Sequence, residues 1–468
     1  MAQFTMSIMS LIIGRRKLRQ DFLYLTEMKP IFPLVGLVGA LWSASMVSVQ
    51  SQAYTWTTIA GLCGSTNSGS ADGTNANARF YYPKGLAVDG AGSLYVADSG
   101  NHTIRKITPI GTDWVVSTLA GAAGAPGDAD GTNSNARFWN PCGIALDGAG
   151  NLYVADSARY TIRRITPVST NWVVTTIAGL PGVQGSNDGT NTNARFYQPT
   201  YIAVDQAGNL YMADNGNDTV RKIAPVGTNW VVSTLAGHVG TSASKDGMNG
   251  NAWFSNPNGI ALDRVGNVCV ADYYGSTIRW MALDGTNWYV TTIAGGTYAT
   301  GSADGTNRNA RFYRPSAVAM DGAGSLFVTD AVNDNVRKIT PVGTNWVVST
   351  LGGSATNSGA ADGTGTDARF YTPLGVAVNT AGDLYVADSW NHAIRLGRFN
   401  PWLQCALSGR QLILSWPTNA TGFMPETSIT SSLGASWSPV TNGVAVLGDC
   451  FVLTNNLDAP VAFYRLRK

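Results

Sequence analysis

The stretch GLAVDGAGSLYVADSGNHTIRKITPIGTDWVVSTLAG, residues 85 to 121, holds four short apolar segments cut apart by turn residues. Gly90-Ala91-Gly92 separates GLAVD (85–89) from SLYVAD (93–98), and Pro109 to Thr112 separates TIRKI (103–107) from WVVSTLA (114–120). Segments rich in β-branched and aromatic residues between such turns are strands. The first two are apolar on both faces, as expected of strands covered from both sides. TIRKI alternates more and should lie further out.

The same unit recurs six times. Trp56, Trp114, Trp172, Trp230, Trp288 and Trp346 stand 58 residues apart, and the copies read without insertions or deletions. Four-stranded units that bury their faces only against their neighbours are the blades of a β-propeller. An extended solenoid would need atypical capping units, and the first and last copies are ordinary. The phase of the array predicts closure. Tyr54 to Gly61 is an outer strand with nothing before it to pair with, and the last copy ends on a third strand at His392 to Leu396. The N-terminal strand should therefore complete the last blade beside residues 375 to 396, protecting two sheet edges. The expected fold class is all-β, a six-bladed propeller over residues 54–400.

The segment GLAVDGAGSLYVADSGNHTIRKI (85–107) resembles an NHL repeat, and Asn101-His102 and Asn391-His392 carry its namesake pair. The other copies have Arg159-Tyr160, Asn217-Asp218, Gly275-Ser276 and Asn333-Asp334 at that place. The resemblance implies a six-bladed propeller. It leaves function open, because the family holds protein-binding and RNA-binding modules as well as the peptide-amidating lyase, and related six-bladed folds include lactonases.

Charged residues are 13% of the 468, Gly reaches 54 and the net charge is +2. That balance gives no reason to expect nucleic acid as partner. Residues 30 to 49, PIFPLVGLVGALWSASMVSV, follow Lys29 and precede Ser51-Gln52-Ala53. This pattern predicts a signal peptide over 28–53 cleaved after Ala53, with translation starting at Met28 and residues 1–27 as an extension. The protein would then be secreted, periplasmic or held at the cell surface; an uncleaved segment would be its only membrane contact. Past Pro401 the repeat ends. Segments such as QLILSW (411–416) and FYRLR (463–467) predict a small β-module over 401–468, sandwich-like, resembling one that ends many secreted bacterial proteins. Cys63, Cys142 and Cys269 fall at different places in the repeat, whereas Cys405 and Cys450 share the C-terminal module and could pair in an oxidising compartment.

The most frequent polar residues are assigned to the scaffold. Asp98, Asp156, Asp214, Asp272, Asp330 and Asp388 each precede an Arg by seven residues, which predicts one ion pair or turn cap per blade. Asp72-Gly73 and its counterparts predict a turn. Asp128-Ala129-Asp130-Gly131 has a faint likeness to a calcium loop but lacks the distal Glu. Candidate ligand contacts lie where copies differ, on the face holding the second-to-third-strand hairpins and the blade-to-blade loops. They are Tyr82, Tyr201, Arg314, Arg159, Tyr160, Tyr273, Tyr274, Trp390, His102 and His392.

A non-catalytic binding or scaffold propeller is expected, recognising a protein, carbohydrate or small ligand and needing no cofactor. The alternative is a zinc- or calcium-dependent lyase or lactonase-like hydrolase acting at the channel mouth. Against it, the chain has only His102, His238 and His392, its two glutamates are Glu27 and Glu426, and it shows no GxSxG elbow.

Overall fold

The computed structural model describes residues 54–399, which form one unit, and parts of a second unit between 404 and 467. The leader expected at 28–53 and the extension at 1–27 lie outside the described residues. Six antiparallel sheets succeed one another along 54–399. In the first, Pro83–Val88 is innermost, followed outward by Leu94–Asp98, Thr103–Ile110 and Asp113–Gly121. Each innermost strand packs against those of its neighbours, and the sixth, Pro373–Val378, meets the first. The array is therefore a closed ring. A Cβ on Gly375 would collide with the carbonyl oxygen of Lys84, so glycine is what allows these backbones to approach.

Closure follows the expected route. Tyr54–Ala60 lies between Ala393–Phe399 and Gly363–Thr364 and completes the sixth sheet. Two other expectations change. Each sheet has five strands rather than four, because Gly73–Thr74 pairs with Val116 and Val115 as an outermost strand. Asp72 holds it there by accepting the Thr118 N–H at 3.1 Å and the Thr118 hydroxyl at 2.9 Å.

The copies also are not free of insertions. Gly61 to Asp72 is two residues longer than Gly121 to Asp130, so Trp56 is not the equivalent of Trp114. Trp114 lies opposite Pro109 and Val116 opposite Ile107. In the closing strand Tyr54 lies opposite Phe399 and Trp56 opposite Gly397, so Tyr54 takes the tryptophan's place and Trp56 the valine's. A two-residue slip returns every side chain to its own face, so strand alternation does not betray it.

Between blades the outer tryptophans pack on tyrosines of the preceding blade, as in Tyr95–Trp172 at 6.1 Å and Tyr385–Trp114 at 6.1 Å. Where the fourth blade has Cys269 instead of tyrosine, Trp280 fills the space against Trp346 at 5.5 Å. The described residues of the second unit form two antiparallel sheets, with strands at Gln404–Ser408, Gln411–Pro417, Cys450–Asn456 and Val444–Leu447, and at Ser438–Pro439, Met424–Ser428 and Phe463–Arg467. The strands bearing Cys405 and Cys450 flank a third strand, and the side chain of Cys405 lies outside the described residues.

Candidate functional site

Six buried ion pairs stiffen the scaffold on which the variable loops stand. Arg105 and Asp98 are both fully buried and meet at 2.8 Å, and the second Arg105 nitrogen reaches Asp72 at 2.7 Å. Asp98 also accepts the Tyr81 N–H at 2.8 Å and the Asn101 amide at 2.8 Å, and the guanidinium lies over Phe80 at 5.1 Å. The Asp–Arg pair recurs in every blade, from Arg163–Asp156 through to Arg395–Asp388. A buried charge pair is tolerated when most of its remaining valences are met. Here two further donors serve Asp98 while the carbonyls of Arg79 and Ala71 serve Arg105, leaving only its Nε without a hydrogen-bond partner. These Asp and Arg residues belong to the fold, as their six-fold recurrence implies. In the calcium-like stretch both carboxylates face guanidinium groups, Asp130 that of Arg163 at 2.8 Å and Asp128 that of Arg159 at 3.3 Å.

The two ends of the ring differ in character. One carries constant turns, in which Asp89 accepts the N–H groups of Ala91 at 3.0 Å and Ser93 at 2.8 Å. The other carries the hairpins and loops that vary from copy to copy.

Tyr201 is not on those loops. It belongs to the innermost strand Pro199–Val204, and its hydroxyl donates to the carbonyl of Leu374, in the blade opposite, at 2.7 Å. The side chain thus spans the axis, and burial pushes its hydroxyl well above the ordinary tyrosine range. Around it the inner strands are linked by Lys84 to Cys142 at 3.4 Å and by Asn258 to Ser316 at 3.2 Å. These linking side chains include neither imidazole nor carboxylate.

His102 and His392 act between blades. Nδ1 of His392 accepts the N–H of Tyr82 at 3.2 Å, and its Nε2 faces the carbonyl of Ser65 at 3.2 Å, which places the ring proton on Nε2. Nδ1 of His102 accepts the N–H of Asn140 at 3.2 Å. Asp218 and Asp334, at the same place in the third and fifth copies, accept the N–H groups of Asn256 and Thr372 at 2.7 Å each. The namesake histidine is therefore an acceptor that ties its own hairpin to the next blade, a role that Asp218 and Asp334 fill in their copies. Burial lowers the pKa of both histidines. Among the described residues no three His, Cys, Asp or Glu side chains are grouped to hold a metal ion.

The other candidates gather into separate patches at blade junctions. At the junction of the sixth and first blades Tyr82 lies 5.5 Å from Trp390, 4.9 Å from His392 and 4.8 Å from Tyr81, and Tyr371 lies 5.2 Å from Trp390. Between the fourth and fifth blades the Arg314 guanidinium lies 5.1 Å from the Tyr274 ring and 5.8 Å from those of Tyr273 and Tyr313. Arg159 lies over Trp139 at 4.7 Å, and Tyr160 packs on Tyr197 at 5.9 Å. Trp390 is 41% exposed and Tyr274 47%.

Tyr371, Tyr313 and Tyr298 were not legible as members of these patches. Tyr371 and Tyr313 occupy a repeat position that is aromatic in five copies, which reads as scaffold; Tyr298 sits in a loop of no fixed pattern, where its hydroxyl accepts the Ser244 N–H at 2.9 Å. A groove of about 700 Å³ also opens between the outer edges of the fourth and fifth blades, lined by Thr291, Asn307 and Trp346. Its arginine, Arg308, is paired with Asp246 at 2.7 Å.

Sheet order, ring closure and the N-terminal closing strand define a six-bladed β-propeller. More particularly, the NHL repeat family matches residues 80–107 and 370–395, the two copies that carry the Asn-His pair. NHL repeat-containing protein 2 of Bos taurus is 28% identical over 353 residues, covering 67% of this chain and 46% of that protein. The chain thus spans less than half the length of that relative. Among solved structures, a protein of unknown function from Bacteroides thetaiotaomicron shares the fold with a TM-score of 0.56 at 20% identity, covering 74% of this chain and 75% of that one. An auxiliary nutrient binding protein from the same organism does so with a TM-score of 0.55 at 16% identity, covering 75% and 77%.

Proposed function

We propose that the protein is a secreted or surface-held, non-catalytic propeller that binds a protein, carbohydrate or small ligand on the face bearing the variable loops. The observation that carries this reading is the placement of exposed aromatic rings. Trp390, Tyr81, Tyr274 and Tyr313 all stand on that face, whereas the opposite face presents near-identical turns in every copy. Rigid rings offer much contact area at little entropic cost, and the buried ion pairs beneath keep the loops in place. The side chains that link the inner strands near the axis suit a structural plug better than a reaction centre.

The test is to probe glycan and protein arrays with the full chain and with Trp390→Ala and Tyr274→Ala. The captured ligand should bind about tenfold more weakly to at least one variant, a loss typical of an interface hot spot, with the melting temperature unchanged. A parallel fall in melting temperature, or unaltered capture, would sink the reading.

A further inference from the structure

We infer that the patch formed by Arg314, Tyr273, Tyr274 and Tyr313 is a subsite for a carboxylate-bearing sugar, a uronate unit of a glycan. The inference rests on the proposed ligand-binding role of this face.

The charge of Arg314 is oriented but not neutralised. Its guanidinium is held among three tyrosine rings, and it has no carboxylate partner among the described residues. Arg159, on the same face, is paired with Asp128, and Arg308 on the outer edge with Asp246. The hairpin's own carboxylate, Asp272, is buried and already accepts from Arg279 at 3.1 Å, Ser244 at 2.6 Å and the Ser255 N–H at 2.6 Å. A guanidinium lying over π faces keeps N–H edges that fit a carboxylate.

This hairpin has also been rebuilt without loss of the scaffold. Four blades use an Asn as donor to the buried Asp: Asn101, Asn217, Asn333 and Asn391. In the fourth blade that residue is Gly275, the short 3-10 turn is missing, and the hydroxyl of Ser244, from a different loop, supplies the donor. The change brings Tyr273 and Tyr274 to the surface beside Arg314.

The surface suits a sugar better than a peptide. Tyrosine faces match the apolar face of a pyranose, and their hydroxyls match its rim. A peptide would need backbone partners, yet the N–H groups of Tyr273, Tyr274 and Tyr298 already donate to the carbonyls of Asn256, Ser255 and Gly275.

Titration calorimetry of the full chain with tetragalacturonate, its methyl ester, maltotetraose and tetraglutamate tests the assignment. Tetragalacturonate should bind at least tenfold more tightly than the ester and maltotetraose. Arg314→Gln should abolish that preference, and Tyr274→Ala should weaken binding of the acid. Equal affinity for acid and ester, indifference to Arg314→Gln, tighter binding of tetraglutamate, or no binding of any probe would overturn it. Neutral-sugar binding that depends on Tyr274 but not Arg314 would overturn the uronate assignment while leaving the binding face intact.

Discussion

The indole of Trp56 occupies the space that a side chain at position 397 would need. A Cβ on Gly397 would lie 2.6 Å from Cζ3 of Trp56, a separation real Cβ atoms do not show. Gly352 is pressed against the same ring, whose Nε1 donates to the carbonyl of Leu351 at 3.3 Å. At the place of Gly397 the other copies carry Ile107, Ile165, Ile223, Met281 and Ile339. The closing strand and the blade that receives it are thus matched in shape, large against small, and this distinguishes the sixth blade from the five that close within themselves.

That match makes a double-mutant prediction. Gly397→Ile should destabilise the propeller by about 1–3 kcal/mol through overpacking. Trp56→Val should cost about 3 kcal/mol through the cavity it leaves. The double variant restores the Val–Ile pairing of the other blades and should be more stable than the sum of the two losses. Chemical denaturation of the three variants checks this, and strictly additive losses would refute it.

The buried pairs should be expensive to break and equal from blade to blade. Asp98→Ala and Asp214→Ala each take the buried carboxylate from a fully buried guanidinium, leaving it only its partly exposed partner, Asp72 or Asp188, at a cost of about 3–5 kcal/mol. Asp128→Ala, which removes the partly exposed partner of Arg159, should cost under about 1 kcal/mol. Urea unfolding midpoints are the measurement; a small loss at Asp98 would remove these pairs from the list of scaffold contacts.

Acid should loosen the junctions on both sides of the first blade. His102 and His392 titrate below their ordinary value of 6.5, chiefly because burial disfavours the charged ring. A folded value below the unfolded one gives a contribution that is complete above about pH 6.5 and lost as the pH falls through the folded value. In a His102→Asn/His392→Asn variant the amide oxygen can accept the same N–H at any pH. Asp218 and Asp334 have raised values, run the opposite way, and are common to both proteins. The difference in melting temperature between wild type and variant should therefore shift against the wild type from pH 8 to pH 5. Parallel curves would count against the histidine acceptors.

Tyr201 should behave as a plug and not as a ligand contact. Tyr201→Phe loses the bond to Leu374 and should cost about 1 kcal/mol. Tyr201→Ala empties the axis and should cost about 3–5 kcal/mol. Neither should alter capture of a ligand that Tyr274→Ala weakens. If Tyr201→Phe reduced binding at unchanged stability, the axis would belong to the site.

Much is legible in the sequence, because a repeat writes its local rules six times. Four strands of each blade, the number of blades, the closure by Tyr54–Ala60 and the structural standing of the Asp–Arg pairs follow from hydrophobic alternation and the phase of the array, whereas the two-residue outermost strand such as Gly73–Thr74 does not. Tertiary structure decided what depends on contacts between distant residues. The 58-residue spacing of Trp56 and Trp114 hid a two-residue insertion, since strand faces repeat every two residues and only the register against Gly397 shows the slip. Tyr201 looked like one more variable aromatic until its partner proved to lie 173 residues away across the ring. His102 and His392 looked like candidate ligand contacts until each was found holding a backbone N–H of the next blade. Local pattern determines which segments become strands and in what order they stack; the packing of strands far apart in the chain decides which side chains are left free to meet a ligand.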